Sequence, residues 1–163
     1  MIVVSDTSVL LNLCRVELDW LLPRLFVEVW IPPTVEHEFD RLAAAHARFQ
    51  GLVLPEWVRR SAPVPIPPEV SDCADLDPGE TEALALALSL HADYILLDDQ
   101  AARHAATRLG QRFTGIGGIL LLAKASRLIP AVAPSLDRLQ SEGRFFLSPA
   151  FRAEMLRLAG EGA

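Results

Sequence analysis

Residues 77–99, with the sequence DPGETEALALALSLHADYILLDD, determine the fold class that we predict for this chain. The segment Asp77–Glu80 is typical of a helix start, because an aspartate caps the first turn, a proline follows it and a glutamate completes a capping box. The helix runs to about His91 and leads into the uniformly apolar segment Tyr94–Leu97. A short apolar run next to a longer helix predicts a strand buried on both faces of a parallel sheet.

Similar strand and helix signals lie on both sides of this segment. Ile2–Ser5 and Glu28–Ile31 predict two more strands, and Thr34, after a proline pair, predicts the cap of a helix that runs to about Phe49. The proline-rich residues 61–77 predict an extended connection, and residues 111–114 predict a strand among four further helices. We therefore expect an α/β fold with one domain over residues 1–163, a three-layer sandwich with a central, mostly parallel sheet.

Length and composition are typical of a compact protein. The chain has 163 residues, 51% of them hydrophobic, and a net charge of −6. These values exclude a disordered chain and argue against a surface covered with basic side chains. No apolar run approaches the roughly 18 residues that a membrane span needs, and the N-terminus lacks the features of a signal peptide. We expect a protein of the cytoplasm with no membrane partner.

Charge is unevenly distributed along the chain. Residues 1–100 carry 6 basic and 17 acidic side chains, whereas residues 101–157 carry 9 basic and 3 acidic side chains. The basic part is a candidate for contact with a polyanion such as nucleic acid. The alternative is that its arginines are ordinary solvated residues on helix faces.

Carboxylates recur where the predicted strands end and the helices begin. They occupy four places: Asp6, Glu38, Glu80 with Glu82, and Asp98 with Asp99. Each alone can be explained as a helix cap or an exposed helix residue, but the carboxyl ends of parallel strands meet at one edge of a sheet. Carboxylates gathered there repel one another unless a cation shares the site, and oxygen ligands suit Mg²⁺ or Mn²⁺. No cysteine or histidine spacing, nucleophile elbow or Walker loop predicts a competing chemistry.

The order of these motifs resembles that of the PIN-domain superfamily of metal-dependent ribonucleases, which includes the VapC toxins of bacterial toxin–antitoxin pairs. It is more closely similar to a compact prokaryotic branch described only as nucleic-acid-binding proteins. The resemblance covers nearly the whole chain. The segments that carry it are Ser5–Ser8, Val35–Glu38, Asp77–Ala87, Tyr94–Asp99, Thr114–Lys124 and Phe146–Pro149.

The resemblance implies a site of four acids that holds one or two Mg²⁺ or Mn²⁺ ions. By this resemblance the metal ligands and catalytic residues are Asp6, Glu38, Glu80 and Asp98, with Glu82 and Asp99 as alternates to the last two. Thr7 and Ser8 occupy the place of the hydroxyl residues near the metal in the family. For a toxin, the resemblance further implies a small antitoxin protein as partner.

We therefore predict a metal-dependent endoribonuclease with RNA as its substrate. Arg103, one helical turn beyond Asp98 and Asp99, is the best candidate for substrate contact, ahead of Arg108, Arg112, Lys124 and Arg127. One alternative is a catalytically silent module that binds nucleic acid or a partner, and another is a phosphatase for small phosphoesters. The high apolar fraction also makes a homodimer plausible.

Overall fold

The computed structural model describes residues 1–162 and divides them into five strands and nine helices. The strands are β1 (Ile2–Ser5), β2 (Glu28–Ile31), β3 (Arg59–Arg60), β4 (Tyr94–Leu96) and β5 (Phe113–Thr114). The helices are α1 (Thr7–Arg15), α2 (Leu21–Leu25), α3 (Pro33–Ala45), α4 (Pro68–Ser71), α5 (Pro78–Ser89), α6 (Gln100–Arg108), α7 (Ile116–Ala125), α8 (Ala133–Ser141) and α9 (Pro149–Leu158). None of these helices is long and apolar enough to cross a bilayer.

The five strands form one sheet in the order β3-β2-β1-β4-β5, and every neighbouring pair is parallel. The α/β class with a parallel central sheet is thereby confirmed. Strand β1 lies in the middle, with Val4 opposite Trp30 of β2 and Ile95 of β4. Because β1 and β4 run in the same direction as neighbours, the residues that follow them emerge at the same edge of the sheet.

The core lies on both faces of this sheet. Val3 and Val4 of β1 and Ile95 and Leu96 of β4 are completely buried, as expected for strands covered by helices on each side. Helix α5 packs against α3, β1 and β4, while α7 packs against α2, α9 and β5. Helices thus flank the sheet in the three-layer sandwich that the sequence predicts.

Most predicted helix starts are confirmed. Helix α5 begins with the capping box, in which Asp77 accepts a hydrogen bond from the Glu80 N–H and Glu80 accepts one from the Asp77 N–H. Asp6 caps α1 and Asp99 caps α6. Helix α6 ends before Gly110, whose φ of +68° lies in the left-handed region that suits glycine.

The structure differs from the local predictions in five places. Helix α3 begins with Pro33 after a Pro32 cap, so Thr34 is not the cap, and it ends at Ala45 because His46 is extended. The segment 61–77 contains the short helix α4. Helix α2 and the two-residue strand β3 are additional elements, since neither carries a periodic apolar pattern long enough to predict it.

Candidate functional site

Asp6 occupies the first turn after the central strand. Its backbone N–H donates to the Leu96 carbonyl at 3.1 Å, which joins the ends of β1 and β4. Its carboxylate caps α1 by accepting a hydrogen bond from the Val9 N–H at 2.9 Å, and the residue is only 3% exposed. Burial raises the pKa of Asp6 well above its ordinary value, and the negative charges of Asp98 and Glu80 raise it further. Within residues 1–162, Asp6 forms no ion pair.

Glu38 reaches the same place from α3. The Thr7 hydroxyl donates a hydrogen bond to its Oε2, so the residue after Asp6 holds the Glu38 carboxylate in position. A Cβ built on Gly79 would come within 2.5–2.9 Å of this carboxylate. Glycine at position 79 therefore allows Glu38 to rest against the first turn of α5.

Glu80 projects from that first turn of α5. It completes the capping box, in which the Asp77 N–H donates a hydrogen bond to the Glu80 carboxylate at 3.0 Å. Burial raises the pKa of Glu80 to about 7, with further contributions from the charges of Asp77, Asp99 and Glu38. Burial is the main cause of this rise in the pKa of Glu80, and the neighbouring negative charges add to it.

Asp98 follows β4 and forms an ion pair with Arg103. Its Oδ1 accepts a hydrogen bond from Arg103 at 3.0 Å, and the Ile116 N–H at the start of α7 lies 3.3 Å from the same oxygen. Burial raises the pKa of Asp98, whereas the Arg103 charge opposes the rise. A Cβ on Gly115 would collide with both partners of this ion pair, so glycine is required for their close approach.

Three of the four predicted acids line one cleft of about 450 Å³, and Asp98 lies close enough to Asp6 to raise its pKa. We call this cavity the acid cleft. Its lining comprises Asp6, Thr7, Ser8, Leu11, Asn12, Glu38, Arg41, Leu42, Arg48, Phe49, Asp77, Pro78 and Glu80. The structure therefore brings together residues that are widely separated in sequence.

The alternate acids are used elsewhere. The Glu82 carboxylate accepts a hydrogen bond from the Thr34 N–H at 2.8 Å and so supports the start of α3. Asp99 accepts one from the Ala102 N–H at 3.0 Å as the cap of α6. Neither residue lines the acid cleft. Glu80 lines the acid cleft and Glu82 does not, whereas Asp98, like Asp99, lies outside its lining.

The basic residues that the sequence singles out lie in several parts of the structure, and their contact with substrate stays a prediction. Arg103 is engaged by Asp98 and by the Leu97 carbonyl, and Lys124 is engaged by Glu161. Arg112 lies over the Tyr94 ring at the first residue of β4, at the opposite edge of the sheet from Asp98. Arg41 and Arg48, which the sequence analysis does not single out, line the acid cleft.

A weak sequence signal points to one of these two arginines. Arg41 follows Glu38 by three residues on α3, a spacing that places both side chains on one helix face. No comparable signal exists for Arg48, because it reaches the acid cleft from a loop beyond the end of α3.

The side chains around the acid cleft fit a hard divalent cation by chemistry. They offer carboxylate and hydroxyl oxygens, and two of the carboxylates carry raised pKa values that a bound cation would lower. Within residues 1–162, no three Asp, Glu, His or Cys side chains stand close enough together to form a complete ion-binding group. The acids thus surround a common space without closing around a single point.

A family model matches nearly the whole of the described chain. The family model DUF3368, described as a PIN domain, matches residues 2–161. No curated protein matches the chain. The match spans every strand of the sheet and all four acids around the acid cleft.

Proposed function

We propose that this chain, which belongs to the PIN-domain family, is a metal-dependent endoribonuclease that hydrolyses phosphodiester bonds in RNA. Its fold is of the nuclease type. The observation that carries the proposal is the gathering of Asp6, Glu38 and Glu80 at one cleft, where none of the three carboxylates forms an ion pair within residues 1–162. Such an arrangement costs stability unless a ligand supplies positive charge.

Mg²⁺ or Mn²⁺ would be held by Asp6, Glu38, Glu80 and Asp98. The chemistry that such an ion supplies when bound is activation of a water nucleophile and neutralisation of charge on the scissile phosphate. The protein contributes positioning, because the Val9 N–H fixes the Asp6 carboxylate and the Thr7 hydroxyl fixes Glu38. Arg103 positions Asp98 by donating to both its side chain and the preceding carbonyl.

The proposal extends to the substrate, protein partners and location of the chain. The acid cleft would admit RNA as substrate, with Ser8 at its wall available to contact it. A role as the toxin of a toxin–antitoxin pair, with a small antitoxin partner, extends the proposal, as do homodimerisation and a cytoplasmic location. These rest on the resemblance and composition given above.

A catalytically silent binding module is the second candidate. The observation in its favour is that no three acids in residues 1–162 are close enough to form a complete ion-binding group. If the side chains keep this spacing in the presence of divalent ions, the protein would bind nucleic acid without cleaving it.

Incubation of the purified protein with single-stranded and structured RNA separates the two candidates. We expect cleavage in Mg²⁺ or Mn²⁺, no cleavage in chelator, and loss of cleavage in the Asp6→Asn, Asp98→Asn double variant. Glu154→Gln serves as the matched control, since Glu154 is an exposed acid on α9 that pairs with Arg157. Absence of cleavage with every RNA and metal, together with no acid-dependent metal uptake in calorimetry, would favour the silent module.

A further inference from the structure

Arginines without carboxylate partners are concentrated beside the acid cleft. Of the fifteen Lys and Arg residues, seven form ion pairs within residues 1–162 and eight do not. Four of these eight, Arg15, Arg41, Arg48 and Arg144, line the acid cleft or the cavity next to it. In a chain with a net charge of −6, this grouping of uncompensated positive charge requires a physical reason.

Arg48 is the centre of the group. Its guanidinium donates to the Asn12 side chain at 2.8 Å and to the Gly143 carbonyl at 2.9 Å, and it lies 4.8 Å from the centre of the Phe49 ring. All of these partners are neutral. Burial lowers the pKa of Arg48, and the positive charges of Arg15 and Arg144 lower it further. The protein thus holds three guanidinium groups near one another, and none of the three forms an ion pair within residues 1–162.

Arg48 also joins two cavities. The second cavity, of about 230 Å³, is lined by Arg15, Ala47, Arg48, Glu142 and Arg144, and we call it the arginine cavity. Glu142 is the one acid in its lining, and the Glu142 Oε2 atom lies 3.5 Å from Nε of Arg138, with which it forms an ion pair. Because Arg48 lines both cavities, the surface changes from negative to positive across a single side chain.

We propose that the acid cleft and the arginine cavity form one continuous track for a single RNA strand. The scissile phosphate would lie in the acid cleft, where a divalent cation held by the acids would offset its charge, and the adjacent backbone phosphates would bind at Arg48, Arg15 and Arg144. This inference rests on the proposed function, because it assigns the path of the substrate that the acids would cleave. These three arginines differ from the sequence-based candidates for backbone contact, which are Arg103 first and then Arg108, Arg112, Lys124 and Arg127.

The shape of the site favours a single strand over a duplex. Asp6 lies almost completely buried beside the acid cleft, so the reacting phosphodiester must enter the cavity. A single strand can bend its backbone into a groove lined by positive charge, whereas a duplex presents its phosphates on a stiff outer surface. Arginine forks are suited to phosphate oxygens, which accept two parallel hydrogen bonds.

The test measures RNA binding separately from cleavage. A short fluorescein-labelled single-stranded RNA is titrated with Asp6→Asn protein in chelator over a range of salt concentrations, with anisotropy as the readout. The test variant adds Arg15→Gln and Arg144→Gln. The matched control adds Arg108→Gln and Arg112→Gln, which remove the same charge from arginines that are also unpaired. A third variant with lysine at positions 15 and 144 preserves the charge.

The test variant should bind RNA on the order of tenfold more weakly, and its salt slope should fall by about 0.7 for each arginine. The control should bind like its parent, and the lysine variant should recover most of the lost affinity. Circular dichroism melting establishes that all variants are folded. Equal weakening by the test and control pairs would overturn the inference, as would tighter binding of an oligo-glutamate peptide than of RNA.

Cleavage by the protein with Asp6 intact in Mn²⁺ separates this inference from the proposed function. RNA binding that depends on Arg15 and Arg144 without any cleavage would overturn the nuclease and support the track. Cleavage without dependence of binding on these arginines would support the nuclease and overturn the track. Absence of RNA binding would overturn the track, with the cleavage assay still deciding the nuclease.

Discussion

Two parts of the molecule, the acid cleft and the segment after α9, each place a side-chain carboxylate at a helix start. The pKa of Asp6 in the acid cleft is raised, whereas that of Glu161 after α9 is lowered. Glu161 accepts hydrogen bonds from the Val132 and Ala133 N–H groups at 2.7 and 3.0 Å and from Lys124 Nζ at 2.8 Å. The Lys124 hydrogen bond, followed by those two, lowers the pKa of Glu161 to about 2. Asp6 accepts one hydrogen bond, from the Val9 N–H, and has a pKa well above its ordinary value.

The difference lies in where the compensating positive charge comes from. At Glu161 it is part of the chain, so the ionised carboxylate stabilises the fold and joins α7, α8 and the residues after α9. Around Asp6 the neighbouring charges are mostly negative, so the ionised form opposes folding until a cation arrives. A carboxylate of the first kind is structural, whereas carboxylates of the second kind indicate a ligand site.

The largest expected effect is the loss of RNA cleavage caused by the substitution Asp6→Asn. Asparagine can still cap α1, but it removes the charge that would hold a divalent ion, so the cleavage rate should fall by about a hundredfold or more. The rate of RNA cleavage in Mn²⁺ measures this effect, with Glu154→Gln as the control. Retention of full activity by the Asp6 variant would remove Asp6 from the proposed site.

Glu161→Gln should have the next largest effect, on stability. The substitution weakens the hydrogen bonds from the Val132 and Ala133 N–H groups and removes the ion pair with Lys124. The free energy of unfolding should therefore fall by about 2 kcal/mol. Urea denaturation in chelator measures the change. Glu142→Gln, at an acid with a long contact to Arg138, is the control and should change stability by less than about 0.5 kcal/mol. An equal loss of stability in the two variants would show that the Glu161 side chain does not stabilise the fold.

Glu82→Ala tests whether a carboxylate outside the acid cleft can be lost without affecting chemistry. It removes the acceptor of the Thr34 N–H, so stability should fall by about 1 kcal/mol while cleavage is retained. Glu80→Ala, a matched change on the same helix, should abolish cleavage. If Glu82→Ala abolished cleavage while Glu80→Ala did not, Glu82 would replace Glu80 in the site.

Opposite pH dependences provide the smallest and most specific effect. The pKa of Glu161 is lowered from 4.5 to about 2, so its contribution is present above pH 4.5 and is lost as pH falls toward 2. The pKa of Glu80 is raised from 4.5 to about 7, so its contribution is present below pH 4.5 and is lost as pH rises toward 7. Melting temperatures are measured in chelator across these pH ranges. Glu161→Gln should remove the fall in melting temperature between pH 4.5 and 2, and Glu80→Gln should remove the fall between pH 4.5 and 7.

Much of the fold could be predicted from sequence because local signals agree with the tertiary structure. The apolar run at Tyr94–Leu96 and the capping box at Asp77 and Glu80 specify their elements without help from distant residues. Local signals gave a wrong helix cap at Thr34, where a contact from a distant helix supports the start of α3. The Thr34 N–H is bonded by Glu82, forty-eight residues away, and no local pattern contains that contact.

The candidate site was accessible from sequence only in part. Asp6 and Asp98 follow apolar strands, so the topology of a parallel sheet suffices to bring them together. The choice of Glu80 over Glu82 depends on which way each side chain turns from α5. Arg15, Arg48 and Arg144 come from three distant segments, and the charge imbalance along the chain pointed to the later arginines instead.

Thermal unfolding of the protein with Asp6 intact and of Asp6→Asn, each in chelator and in Mn²⁺, tests the central claim most directly. If the acid cleft gathers charge for a cation, Asp6→Asn should be the more stable protein in chelator, and Mn²⁺ should stabilise only the protein with Asp6 intact. A less stable Asp6→Asn protein in chelator, with equal stabilisation of both by Mn²⁺, would show that Asp6 is a structural cap and contradict the account.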